Sequence, residues 1–245
     1  MRLHHFAAAA ATIALALTAG AASAQSLNVT YYSHATDSDF GNSECCSTSS
    51  NLVLSTLGAD GLPIYNTAAN NGGFVIHDLT ALGDINWWLP ANTTSTGTVS
   101  LPIANNHMFL PDGTGSNDST GFLTAIFTGT LNLPTAEALT FHLGSDDDAF
   151  VYIDGQLVDS IGGVHAVTDA PVTTSTLAQG NHTFELFYAD RDQTQAELDF
   201  SIDTAGVTLT AGVPEPASWG LMILGVGLMG LVLRRNRQAA LSQIA

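Results

Sequence analysis

Three consecutive aspartates, Asp146, Asp147 and Asp148, are the residues in this sequence best suited to chemistry. They fall between two predicted strands, one ending at Leu143 and one beginning at Ala149, and no basic residue stands beside them. Like charges in a tight loop repel one another, so such a loop favours protonation or a bound cation. Carboxylate oxygens on a loop suit calcium better than a transition metal. The alternative is a solvated acidic turn without a ligand, and residue types alone leave both open.

The charge of the chain limits its partners. Residues 25–212 hold 21 of the 22 acidic residues and one cation, Arg191, which gives a net charge of −20, and the chain contains no lysine. A segment with a single cation cannot neutralise phosphates, so nucleic acid is excluded as a partner. Salt bridges within the segment cannot neutralise the carboxylates either. A solvated acidic surface accounts for most of them, and clustered ones could bind a divalent metal.

The strand patterns in residues 25–212 predict an all-β domain. Residues 123–131 and 198–203 alternate between apolar and polar side chains, as half-exposed strands do. Residues 149–153 and 184–188 are apolar on both faces, which is typical of central strands. The dipeptide at 154–155, Asp-Gly, predicts a two-residue hairpin turn.

The first part of this segment is richer in Ser, Thr, Asn and Gly. Short strands are predicted at residues 27–32, 74–77 and 97–101. Trp87 and Trp88 are expected on a strand, one ring on each face, as core residues rather than as a ligand platform. The predicted architecture is an antiparallel β-sandwich with long loops and no substantial helix.

Both ends of the chain predict targeting segments. Residues 1–24 combine Arg2, an apolar stretch at 6–19 and an Ala-Ser-Ala site at 22–24, as a secretory signal peptide does. The mature chain is therefore expected to begin at Gln25.

The C-terminal segment combines a short motif, an apolar run and arginines. Val213, Pro214, Glu215 and Pro216 precede an uncharged run at residues 217–233. At roughly 1.5 Å per residue that run spans about 25 Å, the short end of what a bilayer core requires. The run predicts a transmembrane helix, with residues 238–245 as a cytoplasmic tail. The arginines that would hold this end in the cytoplasm begin with Arg234 and Arg235.

Residues 213–237 resemble the PEP-CTERM sorting signal of Gram-negative bacteria that make exopolysaccharide. The resemblance implies recognition by an exosortase, a membrane cysteine protease, followed by removal of the hydrophobic tail. It also implies a protein that is briefly anchored in the inner membrane and then released to the cell surface or extracellular matrix.

Residues 143–158, Leu-Gly-Ser-Asp-Asp-Asp-Ala-Phe-Val-Tyr-Ile-Asp-Gly-Gln-Leu-Val, with Gly-Gly-Val-His at 162–165, resemble the fibro-slime domain. Residues 33–40, 57–66 and 187–191 resemble further blocks of the fibro-slime domain and occur in the same order along the chain. The resemblance covers most of residues 27–210. Fibro-slime domains are related to the PA14 β-sandwich, so a PA14-like fold is implied for residues 25–212.

The resemblance also implies a metal site. In the PA14-type lectins of fungal adhesins, two successive aspartates joined by a cis peptide bind calcium, and the calcium binds sugar hydroxyls. The matching pair is Asp146 and Asp147, and Asp148 stands where fibro-slime domains also carry aspartate. A further loop supplies the remaining ligands in those lectins, and the candidates here are Asp190 and Asp192.

Two other polar residues have two possible roles each. His165, after a pair of glycines, either anchors a loop through hydrogen bonds or binds a metal. Arg191 either pairs with a carboxylate such as Asp148 or Asp192, or contacts a sugar.

These observations favour an exported surface or matrix protein with a calcium-dependent, carbohydrate-binding module of the adhesin or lectin type, associated with exopolysaccharide. The alternative is a purely structural matrix or biofilm component without a specific ligand. An enzyme is not expected, because the acidic cluster is contiguous rather than split across a cleft. The sequence also contains no Ser/His/Asp or His/Glu metal motif.

Overall fold

The computed structural model of the protein describes residues 25–41, 48–68 and 75–212. The predicted signal peptide, the predicted sorting tail with its transmembrane run, and Phe74 lie outside these ranges. No helix in the described ranges is long and apolar enough to cross a membrane.

Those ranges contain 13 strands and two short 3-10 helices. The strands are β1 Ser26–His34, β2 Val53–Leu57, β3 Pro63–Tyr65, β4 Thr93–Ser100, β5 Ile103–Asn105, β6 Phe122–Leu133, β7 Glu137–Asp146, β8 Asp148–Ile153, β9 Gln156–Ile161, β10 Thr168–Leu177, β11 Gly180–Ala189, β12 Glu197–Ile202 and β13 Thr208–Thr210; the 3-10 helices are Asn86–Trp88 and Pro90–Asn92.

The strands form two antiparallel sheets, which confirms the predicted all-β sandwich. The larger sheet has the order β3-β2-β9-β8-β11-β6-β1-β4, with β13 also paired to β6. The smaller sheet has the order β10-β7-β12-β5. The main core lies between the two sheets and contains the alternating apolar residues of β6, β7, β11 and β12. The predicted alternation in β6 and β12 is therefore confirmed.

A second buried cluster covers the other face of the larger sheet. It contains Phe150 and Tyr152 from β8 and Phe187 from β11, together with Trp87 and Trp88. Strands β8 and β11 are thus apolar on both faces because both faces are covered, as their sequences predict. The segments before β4 form the cover over this cluster.

The hairpin predicted at residues 154–155 joins β8 to β9. Asp154 and Gly155 have φ angles of 52° and 69°, the left-handed values that a two-residue hairpin of this type requires. The Asp154 carboxylate also accepts a hydrogen bond from the backbone N–H of Thr183 at 2.9 Å. This contact ties the hairpin to the neighbouring strand β11.

Three local predictions were wrong. Residues 75–77 do not form a strand, although Ile76 is buried. Trp87 and Trp88 lie in a 3-10 helix rather than on a strand, and both rings enter the same cluster. Their expected place in the core is nevertheless confirmed. The predicted loop between Leu143 and Ala149 is also wrong, because β7 continues to Asp146 and β8 begins at Asp148.

The triple aspartate marks the point where the chain passes from one sheet to the other. Asp146 pairs with Glu197 of β12 in the smaller sheet, and Asp148 pairs with Ala189 of β11 in the larger sheet. Asp147 alone connects them. Because neighbouring strands run antiparallel, the end of β11, the start of β12 and the start of β6 all meet at this end of the sandwich.

Candidate functional site

Asp147 holds two loops together at this end of the sandwich. Its Oδ1 accepts a hydrogen bond from the backbone N–H of His165 at 2.9 Å. Its Oδ2 accepts hydrogen bonds from the backbone N–H groups of Arg191 at 2.7 Å and Asp192 at 2.9 Å. The peptide bond between Asp146 and Asp147 is cis. The loops after β9 and β11, which are distant in sequence, therefore converge on one carboxylate.

Asp190 is the most unusual residue of the site. It is fully buried, and neither of its carboxylate oxygens has a hydrogen-bond partner among the described residues. Burial raises its pKa well above the usual range, and the charges of Asp147 and Asp118 raise it further. A buried carboxylate without a partner costs free energy of folding. Such a group favours either a proton or a bound cation.

Asp146 shares this environment. Burial raises the pKa of its carboxyl to about 7, with the adjacent Asp147 as the next cause. Burial also raises the pKa of Asp147, although the backbone N–H groups that it accepts oppose the rise. Asp146, Asp147 and Asp190 thus form a cluster of buried carboxylates that lack neutralising cations.

The sequence did not single out Asp118, which belongs to this cluster. It lies in the segment before β6, and its Oδ2 is buried without a hydrogen-bond partner among the described residues. Burial raises its pKa, and the charges of Asp192 and Asp147 contribute to the rise. In the sequence, Asp118 lies in a run rich in Ser, Thr, Asn and Gly, and nothing in that run links it to the other aspartates.

A polar groove of about 560 Å³ opens beside Asp118. Its walls come from the segment after β1, the segment before β6 and the loop after β11. This volume is within the range of small-ligand sites. Asp118 is the member of the carboxylate cluster that lines this groove. The side chains that can form hydrogen bonds there include Thr36, Asn117, Ser119, Thr120 and Gln193.

Asp148 and Arg191 have a different environment from the rest of the cluster. Asp148 Oδ2 lies 3.5 Å from Arg191 Nη1, and Asp148 Oδ1 accepts a hydrogen bond from the backbone N–H of Gly163 at 2.7 Å. Arg191 Nε donates to the Asp39 carbonyl at 2.9 Å, and its guanidinium carbon lies 5.0 Å from the centre of the Trp87 ring. Arg191 is almost wholly buried, so its contacts position loops rather than meet a ligand at the surface.

The Asp148 carboxyl nevertheless resists ionisation. Its pKa is raised to about 6 by burial, and the positive charge of Arg191 offsets only part of that rise. Because the charge of Arg191 already offsets part of its own, Asp148 is the weakest candidate for a metal ligand among the three consecutive aspartates.

His165 is buried beside the cluster. Its Nδ1 lies 2.9 Å from the carbonyl oxygen of Ala166, which can only accept, so Nδ1 carries the proton in the neutral ring. Its Nε2 then has a lone pair, and this atom is buried without a partner among the described residues. The arrangement fits the loop-anchor role predicted from the sequence and also leaves one nitrogen able to bind a metal.

The donor chemistry of the cluster fits a hard cation such as calcium, since Asp118, Asp146, Asp147, Asp190 and Asp192 offer only oxygen. However, no group of three or more His, Cys, Asp or Glu side chains in the described ranges is already arranged to hold a metal ion. Asp147 keeps about one acceptor site for an ion, because an ionised carboxylate has about four and the amide hydrogen bonds use three. An ion would have to draw the remaining carboxylates closer together.

Two family models match the chain. The PA14 domain model matches residues 87–210, just over half of the chain, and the PEP-CTERM protein-sorting motif matches residues 212–238. Both resemblances that the sequence indicated are thereby confirmed. A PA14 domain followed by a protein-sorting motif indicates an exported surface protein.

Fibro-slime-like relatives occur in Dictyostelium discoideum. Protein psiR is 26% identical over 189 residues, which are 65% of this chain and 19% of psiR. Protein psiD is 26% identical over 176 residues, which are 60% of this chain and 34% of psiD. The chain thus spans a minor part of these curated relatives.

Two solved structures show similarity over most of the described domain. A PA14 sugar-binding domain from an RTX adhesin is 18% identical, with a TM-score of 0.37 that covers 76% of this chain and 94% of that one. The PA14 domain of the MpAFP antifreeze protein is 14% identical, with a TM-score of 0.36 that covers 77% of this chain and 92% of that one.

Proposed function

Because this chain belongs to the PA14 domain family, we propose that it is a calcium-dependent carbohydrate-binding protein of the cell surface or extracellular matrix. The observation that carries this proposal is the environment of Asp190. Both of its oxygens are buried without partners, and three further carboxylates, Asp146, Asp147 and Asp118, contribute to the rise in its pKa. A cation is the simplest way to offset so many negative charges in a buried place.

Asp146, Asp147, Asp190 and Asp192 would hold the ion, with Asp118 approaching from the segment before β6. Calcium commonly keeps positions open to further oxygens, and paired sugar hydroxyls are suitable donors. The rest of the sugar would lie in the adjacent groove of about 560 Å³. There the side chains of Asn117, Ser119 and Gln193 supply hydrogen-bond donors and acceptors.

The proposed role is binding without catalysis. Glycoside hydrolysis needs two carboxyl groups on opposite sides of the scissile bond. Here Asp146 and Asp147 are adjacent in the chain, and Asp147 is occupied by three backbone N–H groups. Such a carboxylate is held in place for coordination and is poorly suited to transfer a proton.

The proposed location follows from the sorting motif. An exosortase would remove the segment that begins near Val213, after a short period in which residues 217–233 anchor the protein in the inner membrane of a Gram-negative bacterium. The freed domain would then bind extracellular polysaccharide. The matrix around it would be the exopolysaccharide of the producing cell.

A glycan array tests the proposal directly. The purified protein should bind a restricted set of glycans in the presence of calcium, and the signal should disappear with a chelator. Asp190→Asn should lose the calcium-dependent signal, whereas the exposed Asp60→Asn should keep it. Glycan binding that persists in chelator would contradict the role of calcium, and no binding to any glycan would favour the purely structural matrix role.

A further inference from the structure

A second groove lies on the outer face of the larger sheet, away from the carboxylate cluster. It has a volume of about 470 Å³. Its floor is formed by Ile126 and Thr128 of β6 and by Glu185 and Phe187 of β11. The segments before β4 form its walls, which include Leu62, Trp88, Leu89 and Pro90.

Glu185 is the feature of this groove that packing does not explain. It lies on the central strand β11, between Thr128 of β6 and Tyr152 of β8. All the remaining residues from Phe184 to Ala189 are buried and have aliphatic or aromatic side chains. No hydrogen bond or ion pair to the Glu185 carboxylate comes from the described residues. Its oxygens are not among the fully buried atoms that lack a partner in the described ranges, so solvent in the groove reaches them. A carboxylate flanked by apolar side chains is nevertheless poorly hydrated, and a cation beside it would be favourable.

Within the described ranges, no lysine or arginine side chain pairs with this carboxylate. The chain contains no lysine, and Arg191, the one arginine in the described ranges, is engaged by Asp148. Burial raises the pKa of Glu185 above its usual range. The Tyr152 hydroxyl, which could have donated to the carboxylate, instead donates to the carbonyl of Leu54 at 3.2 Å. The donor that would stabilise this carboxylate most is a positively charged one, because hydrogen bonds between ionised groups are the stronger ones.

We propose that this groove binds a small organic ammonium ion, with its charged group on Glu185 and its apolar body against Phe187, Ile126 and the wall of Leu62, Leu89 and Pro90. Charge complementarity selects the ammonium, because Asp60 at the rim adds a second negative charge. The volume selects a small molecule rather than a folded partner.

This site is independent of the proposed calcium site. Glu185 and Asp190 are five residues apart along one extended strand and its end, which corresponds to roughly 17 Å. The binding of an amine therefore does not depend on calcium, and the two proposals can fail separately.

The test compares three probes by isothermal titration calorimetry at physiological ionic strength. Cyclohexylammonium should bind saturably at one site. Cyclohexanol, which has the same apolar body without the charge, should bind at least about tenfold more weakly. Methylammonium, which has the charge without the body, should give no saturable binding. Equal affinities for cyclohexylammonium and cyclohexanol would contradict the proposal.

Variants locate the site. Glu185→Gln should weaken cyclohexylammonium binding at least about tenfold, and Asp60→Asn should weaken it by a smaller factor. Glu137→Gln on the smaller sheet removes the same charge and serves as the control, with affinity within about twofold of the wild type. Full affinity in Glu185→Gln, or an equal loss in Glu137→Gln, would show that amines respond only to the net charge of the protein. Chelation of calcium should leave the affinity unchanged.

Discussion

At the scale of single residues, burial dominates the electrostatics of the carboxylate cluster. Burial is the largest cause of the raised pKa for Asp146, Asp148 and Asp190 alike. Local hydrogen bonds and Arg191 oppose this effect but do not cancel it. The folded protein therefore holds these carboxyl groups in a state that favours uptake of a proton or a cation.

This environment predicts an unusual dependence of stability on pH. The folded pKa of Asp146 is about 7 and that of Asp148 about 6, both above the unfolded value, so the folded state binds more protons. Without calcium, the free energy of unfolding should be higher at pH 5 than at pH 7.5, because the two carboxyl groups lose their protons over this interval. Urea titrations in chelator at both pH values measure this. A protein that becomes more stable over that interval would refute the assignment.

The pair of Arg191 and Asp148 should be strongly coupled. Arg191→Met leaves the buried Asp148 carboxylate unpaired and should lower the free energy of unfolding by about 3–5 kcal/mol. The double variant Arg191→Met with Asp148→Asn should lose much less than the sum of the two single losses. Urea unfolding of all four proteins measures the coupling. Additive losses would mean that the two side chains act independently.

At the scale of elements, local patterns predicted what local forces determine. Alternation predicted the faces of β6 and β12, and the doubly apolar segments predicted the central strands β8 and β11. Asp154-Gly155 predicted the hairpin that joins β8 to β9. The placement of Asp118 and the contact of Arg191 with Asp39 and Trp87 depend on segments far apart in sequence. Neither hydrophobic periodicity nor turn motifs predict such contacts between distant segments. The strand pairing of the triple aspartate likewise depends on distant residues, Glu197 and Ala189, so the sequence around it predicts only a loop.

The segment before β6 and the loop after β11 should determine sugar affinity. Asn117→Ala with Gln193→Ala removes hydrogen-bonding groups from opposite walls of the groove without touching the carboxylates. Glycan affinity should fall about tenfold or more, since each lost hydrogen bond contributes roughly 1 kcal/mol. The calcium-induced rise in stability should not change. Asn181→Ala at the opposite end of β11 is the control, and the same loss of affinity there would exclude the groove as the sugar site.

At the scale of the whole molecule, residues 25–212 combine a large acidic charge with an extensive apolar interior. Two buried clusters, one on each face of the larger sheet, stabilise the domain against the self-repulsion of a net charge of −20. Such a surface keeps an exported protein soluble. The end of the sandwich that carries Asp146, Asp147 and Asp190 differs from the rest of the surface, because these carboxylates are buried and solvent cannot screen their charges.

A calcium titration of thermal stability tests the central claim most directly. If calcium binds only the folded protein, a concentration of about 100 times its dissociation constant should raise the free energy of unfolding by roughly 2.7 kcal/mol. Asp190→Asn should be at least as stable as the wild type without calcium, because an unpaired buried charge is removed, and it should lose most of the calcium effect. The control Asp60→Asn should keep the full effect. Equal calcium-dependent shifts in the wild type and Asp190→Asn would contradict the account, since the ion would then bind elsewhere.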